Sequence, residues 1–203
     1  MARSRDPLAP QPEPAPTRSD SAEIVEAIVA AVIAIGDPNV SINTIAERAG
    51  VGIASVYRYF PNKSAIYAEI SRRLQRDFLA GLRTKLADPS LSLEAAVEAC
   101  CRMAVVVPGV TPALRQAVNT TFPLSWSHAN ADAVFSSAIS EMTQWLGTRL
   151  DPVPRDLADR VFIAFASGRG LVMMSMLMPD RAPPHEVLIR HMVRATLLHL
   201  RDL

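Results

Sequence analysis

Four polar side chains suited to nucleic-acid binding lie close together at positions 55–59. Ser55 carries a hydroxyl, Tyr57 and Tyr59 carry phenols, and Arg58 carries a guanidinium. Side chains of these types hydrogen-bond to backbone phosphates and to base edges in the major groove of duplex DNA. We therefore predict that they share the outward part of one short helix and contact DNA.

Two short helices separated by a tight turn must position this set. Ser41 is a good N-cap for a helix over 42–49, and Gly50 ends that helix because glycine tolerates the left-handed conformation of a sharp reversal. A second helix over 53–59 stops before Pro61, since a residue preceding proline is pushed out of the helical region. The inward anchors of the second helix are Val56 and Phe60. The pattern indicates a helix-turn-helix.

Lys63 is a further candidate for DNA binding. It falls in the first turn of a third helix capped by Asn62, where the helix macrodipole disfavours a cation. A bound phosphate would reverse that effect, because the exposed N–H groups of a helix N-terminus attract anions. Lys63 is therefore expected to lie where the DNA backbone docks.

The residues around these side chains resemble the TetR family of bacterial one-component transcriptional regulators. Two runs carry the resemblance: Thr44-Ile45-Ala46-Glu47-Arg48-Ala49-Gly50-Val51 and Tyr57-Arg58-Tyr59-Phe60-Pro61-Asn62-Lys63. The resemblance is specific through residues 41–70 and weaker elsewhere. It implies that a preceding helix over 21–35 completes a three-helix DNA-binding domain.

The resemblance also implies which side chains contact DNA. Ser55, Tyr57 and Lys63 are placed as contacts, and Arg58 as a contact to a base or a phosphate. The predicted DNA-binding residues are Thr44, Ser55, Tyr57, Arg58, Tyr59 and Lys63. Two positions depart from the family pattern: Gly52 stands where a Ser or Thr commonly caps the recognition helix, and Ile53 stands where a Lys or Arg is common.

Composition is that of an ordinary globular chain with a local basic region. The chain has 203 residues, 49% of them apolar, and a net charge of +1, which argues against a protein coated in nucleic acid. Residues 41–76 contain six basic and two acidic side chains, so positive charge is concentrated near the helix-turn-helix. Of the basic residues, Arg72, Arg73 and Arg76 are expected to form the solvated face of a helix.

Apolar periodicity and proline breaks predict an all-helical fold with two functional domains. Residues 1–20 contain five prolines and are expected to be a disordered tail. Residues 21–66 are assigned to the helix-turn-helix DNA-binding domain and 67–203 to a helical effector-binding and dimerisation domain. The longest uncharged apolar stretch late in the chain, 170–179, is about half the ~20 residues that a transmembrane helix needs, so no membrane association is expected.

Two late helices are expected to form a homodimer interface. A helix over 155–178 carries a run of small residues, including Ala164 and Gly168, that permits close helix approach, and a helix over 185–202 has more apolar surface than one core-facing stripe needs. The family resemblance implies the same arrangement, a four-helix bundle between two copies. A two-fold dimer predicts an inverted-repeat operator. The alternative is that the last helix is merely well buried in its own chain.

The middle of the chain is expected to hold the site for a small-molecule effector. Pockets for such molecules are lined mostly by apolar side chains, and both tryptophans of this chain fall in the segment 93–150. The predicted effector-binding residues are Met103, Phe122, Trp126, Phe135, Met142, Trp145, Phe165 and Met173. Each of them could equally be an ordinary core residue.

Motifs for metal binding, cofactor binding or catalysis are not found in the sequence. The four histidines form no pair at zinc-ligand spacing, and no phosphate loop, nucleophile elbow or paired-carboxylate motif occurs, so we predict no metal, no cofactor and no enzymatic activity. Cys100 and Cys101 are adjacent, which precludes an ordinary disulfide between them. They are expected to be buried thiols in a reducing cytoplasm, with redox sensing as the alternative.

The sequence as a whole predicts a dimeric, cytoplasmic transcriptional regulator, a repressor released from DNA by a small apolar effector. Two alternatives remain. One is a ligand-independent DNA-binding protein, whose affinity would depend strongly on salt and little on DNA sequence. The other is a helical small-molecule-binding protein that has kept the helix-turn-helix as a relic.

Overall fold

A computed structural model describes the backbone of residues 19–120 and 124–200, and the side chains of residues 21–120 and 132–200. Over those ranges the chain forms nine α-helices and no β-strand, which confirms the predicted all-α fold class. The helices are α1 (Ser19–Ile35), α2 (Ile42–Ala49), α3 (Ile53–Tyr59), α4 (Lys63–Leu86), α5 (Leu93–Val105), α6 (Pro112–Thr120), α7 (Leu124–Gly147), α8 (Leu157–Leu177) and α9 (His185–Leu200).

Helix boundaries agree closely with those expected from capping residues. α2 and α3 begin and end at the predicted residues, and α8 and α9 lie within the predicted ranges 155–178 and 185–202. α1 begins at Ser19, so its first residues belong to the segment that the proline content assigned to a disordered tail. The rest of that predicted tail, residues 1–18, lies outside the described residues.

The chain divides into two compact units. The first contains Met1–Arg73 and Gly109–Ala129, and the second contains Leu74–Pro108 and Asn130–Leu203. α4 passes from one unit into the other, and α6 belongs with the helix-turn-helix. The boundary predicted between residues 66 and 67 separates DNA binding from effector binding. The division into compact units does not test it, so it stays a prediction.

The first unit is built on contacts among α1, α2 and α3. Ile28 and Val32 of α1, Ile45 of α2 and Val56 of α3 are fully buried. α1 therefore buries one apolar face against the other two helices, although Ile24 and Ile35 on that face are only half-buried. Burial of several such side chains, at roughly 1.5–3 kcal/mol each, holds helices that are too short to be stable alone.

The second unit contains two apolar clusters. In the larger one, α5 contacts α8 and α9, and α8 contacts α9, around a core that includes Val97, Val161 and Met192. The smaller one, here called the α4–α7 cluster, has three buried members, Leu79, Leu82 and Ala138. Seven half-buried residues pack against it: Phe78, Leu86, Cys100, Met103, Val134, Met142 and Phe165.

Gly168, one of the small residues of α8, lies against α9 of the same chain. Ala164 is 8% exposed, and a Cβ placed on Gly168 would lie 3.4 Å from Cε of Met192. The close approach predicted from these residues is therefore made within the chain. The opposite face of α8 is exposed in the single chain.

The two adjacent cysteines are held in apolar surroundings. Burial raises the pKa of the Cys100 thiol to about 12 and that of Cys101 to about 11, the latter despite a hydrogen bond with Thr196. The thiolate is the reactive form of cysteine, so both groups are poorly reactive at neutral pH. This favours the buried-thiol interpretation over redox sensing.

Candidate nucleic-acid interface

The N-terminus of α2 is capped as its sequence predicts. The Thr44 N–H donates a hydrogen bond to Oγ of Ser41 at 3.1 Å, and the two hydroxyl oxygens lie 2.9 Å apart. Thr44 is exposed, so its hydroxyl combines a local bond to Ser41 with access to solvent. The cap fixes the position of Thr44 at the start of the helix.

The turn between α2 and α3 is closed by two backbone hydrogen bonds. Gly50 has a left-handed conformation with φ 67°, its N–H donates to the Glu47 carbonyl, and the Val51 N–H donates to the Ala46 carbonyl at 3.0 Å. Both bonds satisfy carbonyls that the end of α2 would otherwise leave unpaired. Gly52 then begins α3 with no side-chain cap, as expected from the missing hydroxyl at that position.

α3 presents a mixed polar and apolar surface. Val56 is fully buried and Phe60 is 5% exposed, so the two predicted anchors hold the helix. Tyr57 is 49% exposed and Arg58 is exposed, whereas Ser55 and Tyr59 are half-buried. The guanidinium carbon of Arg58 lies 5.8 Å from the centroid of the Tyr59 ring. A cation–π contact with Tyr59 thus helps to position the Arg58 guanidinium.

Lys63 is tied to the loop between α1 and α2. Its ammonium donates to the carbonyl oxygens of Pro38, at 2.9 Å, and Val40, at 3.0 Å, and the hydroxyl of Tyr67 donates to the same Pro38 carbonyl at 2.6 Å. Two of the three N–H donors of the ammonium are thereby used. Lys63 has a structural role that the sequence did not reveal, and one donor remains for the predicted phosphate contact.

Asn62 caps α4 in the predicted manner. Its side-chain oxygen accepts a hydrogen bond from the Ala65 N–H at 2.9 Å. The cap places Lys63 at the first position of the helix, where the backbone N–H groups that attract anions are found.

Arg72 and Arg73 are half-buried and ion-paired, which contradicts the solvated face predicted for them, whereas Arg76 is exposed as predicted. Arg72 and Arg73 both hydrogen-bond to Glu69, and Arg73 also pairs with Glu26 of α1. Burial alone would raise the pKa of the Glu69 carboxyl, but the hydrogen bonds from the two arginines outweigh it and hold that pKa below its usual value. These charges join α1 to α4 and contribute little positive potential for DNA.

The predicted effector-binding residues fall into several groups. Met103, Met142 and Phe165 all pack against the α4–α7 cluster, and the rings of Phe135 and Phe165 lie 5.5 Å apart. Met173 is half-buried and belongs to neither apolar cluster. Phe122 and Trp126 lie outside the residues whose side chains are described.

Trp145 belongs instead to the larger apolar cluster, together with Met142. Its indole N–H is buried without a hydrogen-bond partner among the described groups, and the Arg149 guanidinium lies 4.5 Å from its ring centroid. Arg149 in turn donates to the carbonyl of Leu91 at 2.7 Å. Trp145 therefore packs against the larger apolar cluster, with Arg149 stacked on its ring. It does not belong to the Phe135–Phe165 pair.

Sequence reasoning missed Arg169, whose guanidinium carbon lies 4.3 Å from the centroid of the Phe135 ring. A signal was present, because Arg169 is the one charged residue in the run 161–178. Among the residues described, no group of three or more His, Cys, Asp or Glu side chains is arranged to hold a metal ion.

Comparison with known proteins gives a family match for the N-terminal part and a fold match for the whole chain. Residues 24–70 match the model of bacterial regulatory proteins, tetR family. None of the curated proteins matches the chain.

Solved structures of similar fold include the fatty acid degradation regulator FadR from Bacillus halodurans, at 16% identity over 92% of this chain and 99% of that one, with a TM-score of 0.60. FadR from Bacillus subtilis, solved in complex with stearoyl-CoA, is 14% identical over 89% and 99% of the two chains, with a TM-score of 0.60. A TetR-family transcriptional regulator from Streptomyces coelicolor is 22% identical over 90% and 99%, with a TM-score of 0.54. At these identities the likeness shows the fold.

Proposed function

Because the chain belongs to the tetR family of bacterial regulatory proteins, we propose that it is a cytoplasmic repressor that binds an inverted-repeat operator and is released by a small, largely apolar effector. The observation that carries the DNA-binding part of the proposal is that α3 has one buried side and one exposed polar side. Val56 is fully buried on one side, and Tyr57 and Arg58 are exposed on the other. A short helix held in this way can enter a major groove without losing its packing.

The outward face of α8 supports a homodimer formed through residues 155–178 and 185–202. Its exposed large apolar residues are Phe162, Ile163, Leu171, Met174 and Leu177, which are 43–59% exposed. With Ala166 and Gly170, several of them recur at spacings of three and four residues, which puts them on one side of the helix. Exposed apolar residues that share one side of a helix are typical of interaction sites, which supports a partner at this face.

α8 also has the length and hydropathy of a membrane-spanning helix, with 17% of its most apolar window buried. A partner copy accounts for the same apolar face without a membrane. α9 adds a mixed surface, because His191, Arg194 and Leu198 are exposed while Leu188 and Met192 are buried. Two copies joined in this way would present two α3 helices about one DNA turn, ~34 Å, or a multiple of it apart.

The effector part of the proposal is supported by the half-buried aromatic and methionine residues around the α4–α7 cluster. FadR from Bacillus subtilis, which shares the fold, was solved with stearoyl-CoA, a ligand with a long apolar chain. α4 passes from the unit that contains the helix-turn-helix into the unit that contains this cluster, and so connects the two covalently. An effector that prefers a conformation in which the two α3 helices do not fit the operator would shift the population away from DNA.

The experiment that tests the proposal is in-vitro selection of random duplex DNA by the purified protein at near-physiological salt. Enrichment of an inverted repeat would support specific binding by a dimer and would supply an operator for effector screening. Retention of DNA without sequence enrichment, from protein shown to be folded, would instead favour the ligand-independent DNA-binding protein. Failure to retain DNA except at low salt would favour the relic helix-turn-helix.

A matched control uses the double variant Tyr57→Ala, Arg58→Ala. Both side chains are exposed, so the variant should fold like the original protein while losing the enrichment. Persistence of the same enriched repeat in the folded double variant would show that another surface reads the DNA.

A further inference from the structure

Arg169 is a single charge set against a row of aromatic rings. It is the one charged residue in 161–178, and its guanidinium carbon lies 4.3 Å from the ring centroid of Phe135. The ring centroids of Phe135 and Phe165 are 5.5 Å apart, and those of Phe165 and Phe78, which belongs to the α4–α7 cluster, are 6.4 Å apart. A cation therefore stands at one end of a continuous apolar strip formed by α4, α7 and α8.

This guanidinium has no carboxylate partner among the residues that the structure describes, unlike other arginines in the same unit. Three of them are paired: Arg83 with Glu141, Arg102 with Glu186 and Arg160 with Asp156. Burial lowers the pKa of the Arg169 guanidinium, and no carboxylate in the described part of the chain counters that effect. Residue 169 as a whole is exposed in the single chain, so part of its side chain remains accessible to a ligand.

An arginine in this situation is suited to hold an anion. A guanidinium stays protonated, so the loss of hydration cannot be relieved by releasing a proton and leaves an unmet demand for an acceptor. Stacking on Phe135 supports the face of the planar group and leaves its N–H edge to form paired hydrogen bonds with an acidic group.

The neighbouring cluster is suited to hold an apolar body. Seven half-buried residues pack against its three buried members, so part of each of the seven side chains remains accessible to an apolar group. Ligand sites in proteins combine such a surface with a small number of polar groups that orient the ligand.

Resting on the effector-binding function proposed above, we propose that Arg169 binds the acidic group of an amphipathic effector whose apolar part lies on Phe135 and Phe165. The acidic group is a carboxylate, sulfonate or phosphate, since all three accept paired hydrogen bonds from a guanidinium. A neutral hydrocarbon or a cationic compound would not use this residue.

Two fluorescent probes with one aromatic framework test the proposal. Anilinonaphthalene sulfonate carries an acidic group, and N-phenylnaphthylamine is the same framework without it. We expect the sulfonate to bind the protein more tightly than the neutral probe. Arg169→Met should weaken the sulfonate about tenfold or more, the scale of a lost charge-assisted contact, and change the neutral probe less than about twofold.

Two further variants control for charge and for geometry. Arg169→Lys keeps the charge without the planar fork, so it should retain part of the sulfonate affinity. Arg181→Met removes an exposed arginine in the segment after α8 and should leave both probes unchanged.

Four outcomes would overturn the proposal. One is unchanged sulfonate binding in Arg169→Met, and the second is equal weakening of both probes, which would make the residue structural. The third is a loss of dimerisation in sedimentation without a selective loss of the sulfonate, which would assign Arg169 to the interface between copies. If neither probe binds the original protein, the effector class is wrong, whereas enrichment of an inverted repeat still tests the DNA-binding function independently.

Discussion

Thr111 contacts Gly36 directly and joins the start of α6 to the end of α1. The Thr111 hydroxyl donates a hydrogen bond to the Gly36 carbonyl oxygen, and a Cβ placed on Gly36 would lie 2.5 Å from Cγ2 of Thr111. Gly36 also has φ +68°, a conformation that L side chains rarely adopt. The contact holds α6 in the same compact unit as the helix-turn-helix.

Gly36→Ala should therefore destabilise the protein by about 2–4 kcal/mol, by adding left-handed strain of roughly 1–2 kcal/mol to a steric clash of similar size. Thr111→Ala alone should cost about 1 kcal/mol for the lost hydrogen bond. In the double variant the clash is relieved but the strain remains, so the two effects should not add. Urea unfolding of the four proteins measures this, and simple additivity would show that the two residues do not act on each other.

Lys63→Met should lower stability because it leaves the Pro38 and Val40 carbonyls without their charged donor. We expect a loss of about 1–3 kcal/mol, the range for hydrogen bonds to a charged group, in thermal or denaturant unfolding. Tyr67→Phe is the matched control, since it removes the other donor to the Pro38 carbonyl and no charge.

The same Lys63 variant also tests the predicted phosphate contact. If the remaining N–H of Lys63 reaches a phosphate, Lys63→Met should lower the slope of log affinity against log salt by about one, and Tyr67→Phe should leave that slope unchanged. Equal slopes in both variants would restrict Lys63 to its structural role.

Tyr57→Phe and Arg58→Ala should separate contacts that position the protein from contacts that read sequence. Both residues are exposed, so unfolding should change by less than about 0.5 kcal/mol. Loss of the Tyr57 phenol should weaken binding similarly on all duplexes, whereas loss of Arg58 should cost about 1–3 kcal/mol at particular base pairs. Binding titrations on an enriched duplex and its single-base variants measure the difference. A uniform loss from Arg58→Ala would make it a phosphate contact.

Local signals made the helix-turn-helix predictable. Ser41, Gly50 and Pro61 act through hydrogen bonds and steric clashes within a few residues, so they determine where α2 and α3 begin and end without reference to the rest of the chain. The inward role of Val56 followed from the same short-range periodicity.

Contacts between distant residues could not be predicted in this way. The carbonyls that bind Lys63 lie 23 and 25 residues before it, and those two acceptors are backbone groups with no sequence signature. The small residues of α8 indicated close helix approach, but periodicity cannot tell whether the neighbour is α9 of the same chain or a second copy. Arg169 stood out as a lone charge in an apolar run, yet its aromatic partner lies on another helix.

Glu69 should make stability depend on pH in the acid range. Its pKa is lower in the folded protein than in the unfolded chain, so the unfolded state binds more protons as the pH falls. The stabilisation is complete above the ordinary glutamate pKa of about 4.3 and is lost as the pH falls through the lower folded value.

Glu69→Gln should remove this dependence and cost about 1–2 kcal/mol at pH 7, since a neutral amide with one accepting oxygen cannot replace the carboxylate that Arg72 and Arg73 share in a half-buried site. Glu47→Gln, on the exposed side of α2, is the control. Denaturant unfolding at a series of pH values measures both. Parallel pH profiles for the original protein and Glu69→Gln would refute the linkage.

Ile163→Asp should prevent dimerisation while leaving the single chain folded. Ile163 is 47% exposed on the outward face of α8, so a carboxylate there remains hydrated in a monomer. In a two-fold dimer through that face, two carboxylates would be buried near each other, which is strongly unfavourable. We expect sedimentation to show at least about tenfold weaker association and an unchanged helical circular dichroism spectrum. Val106→Asp, at a residue 38% exposed at the end of α5, should leave association unchanged. A variant at Ile163 that still dimerises with the original affinity would show that the partner copy lies on another surface.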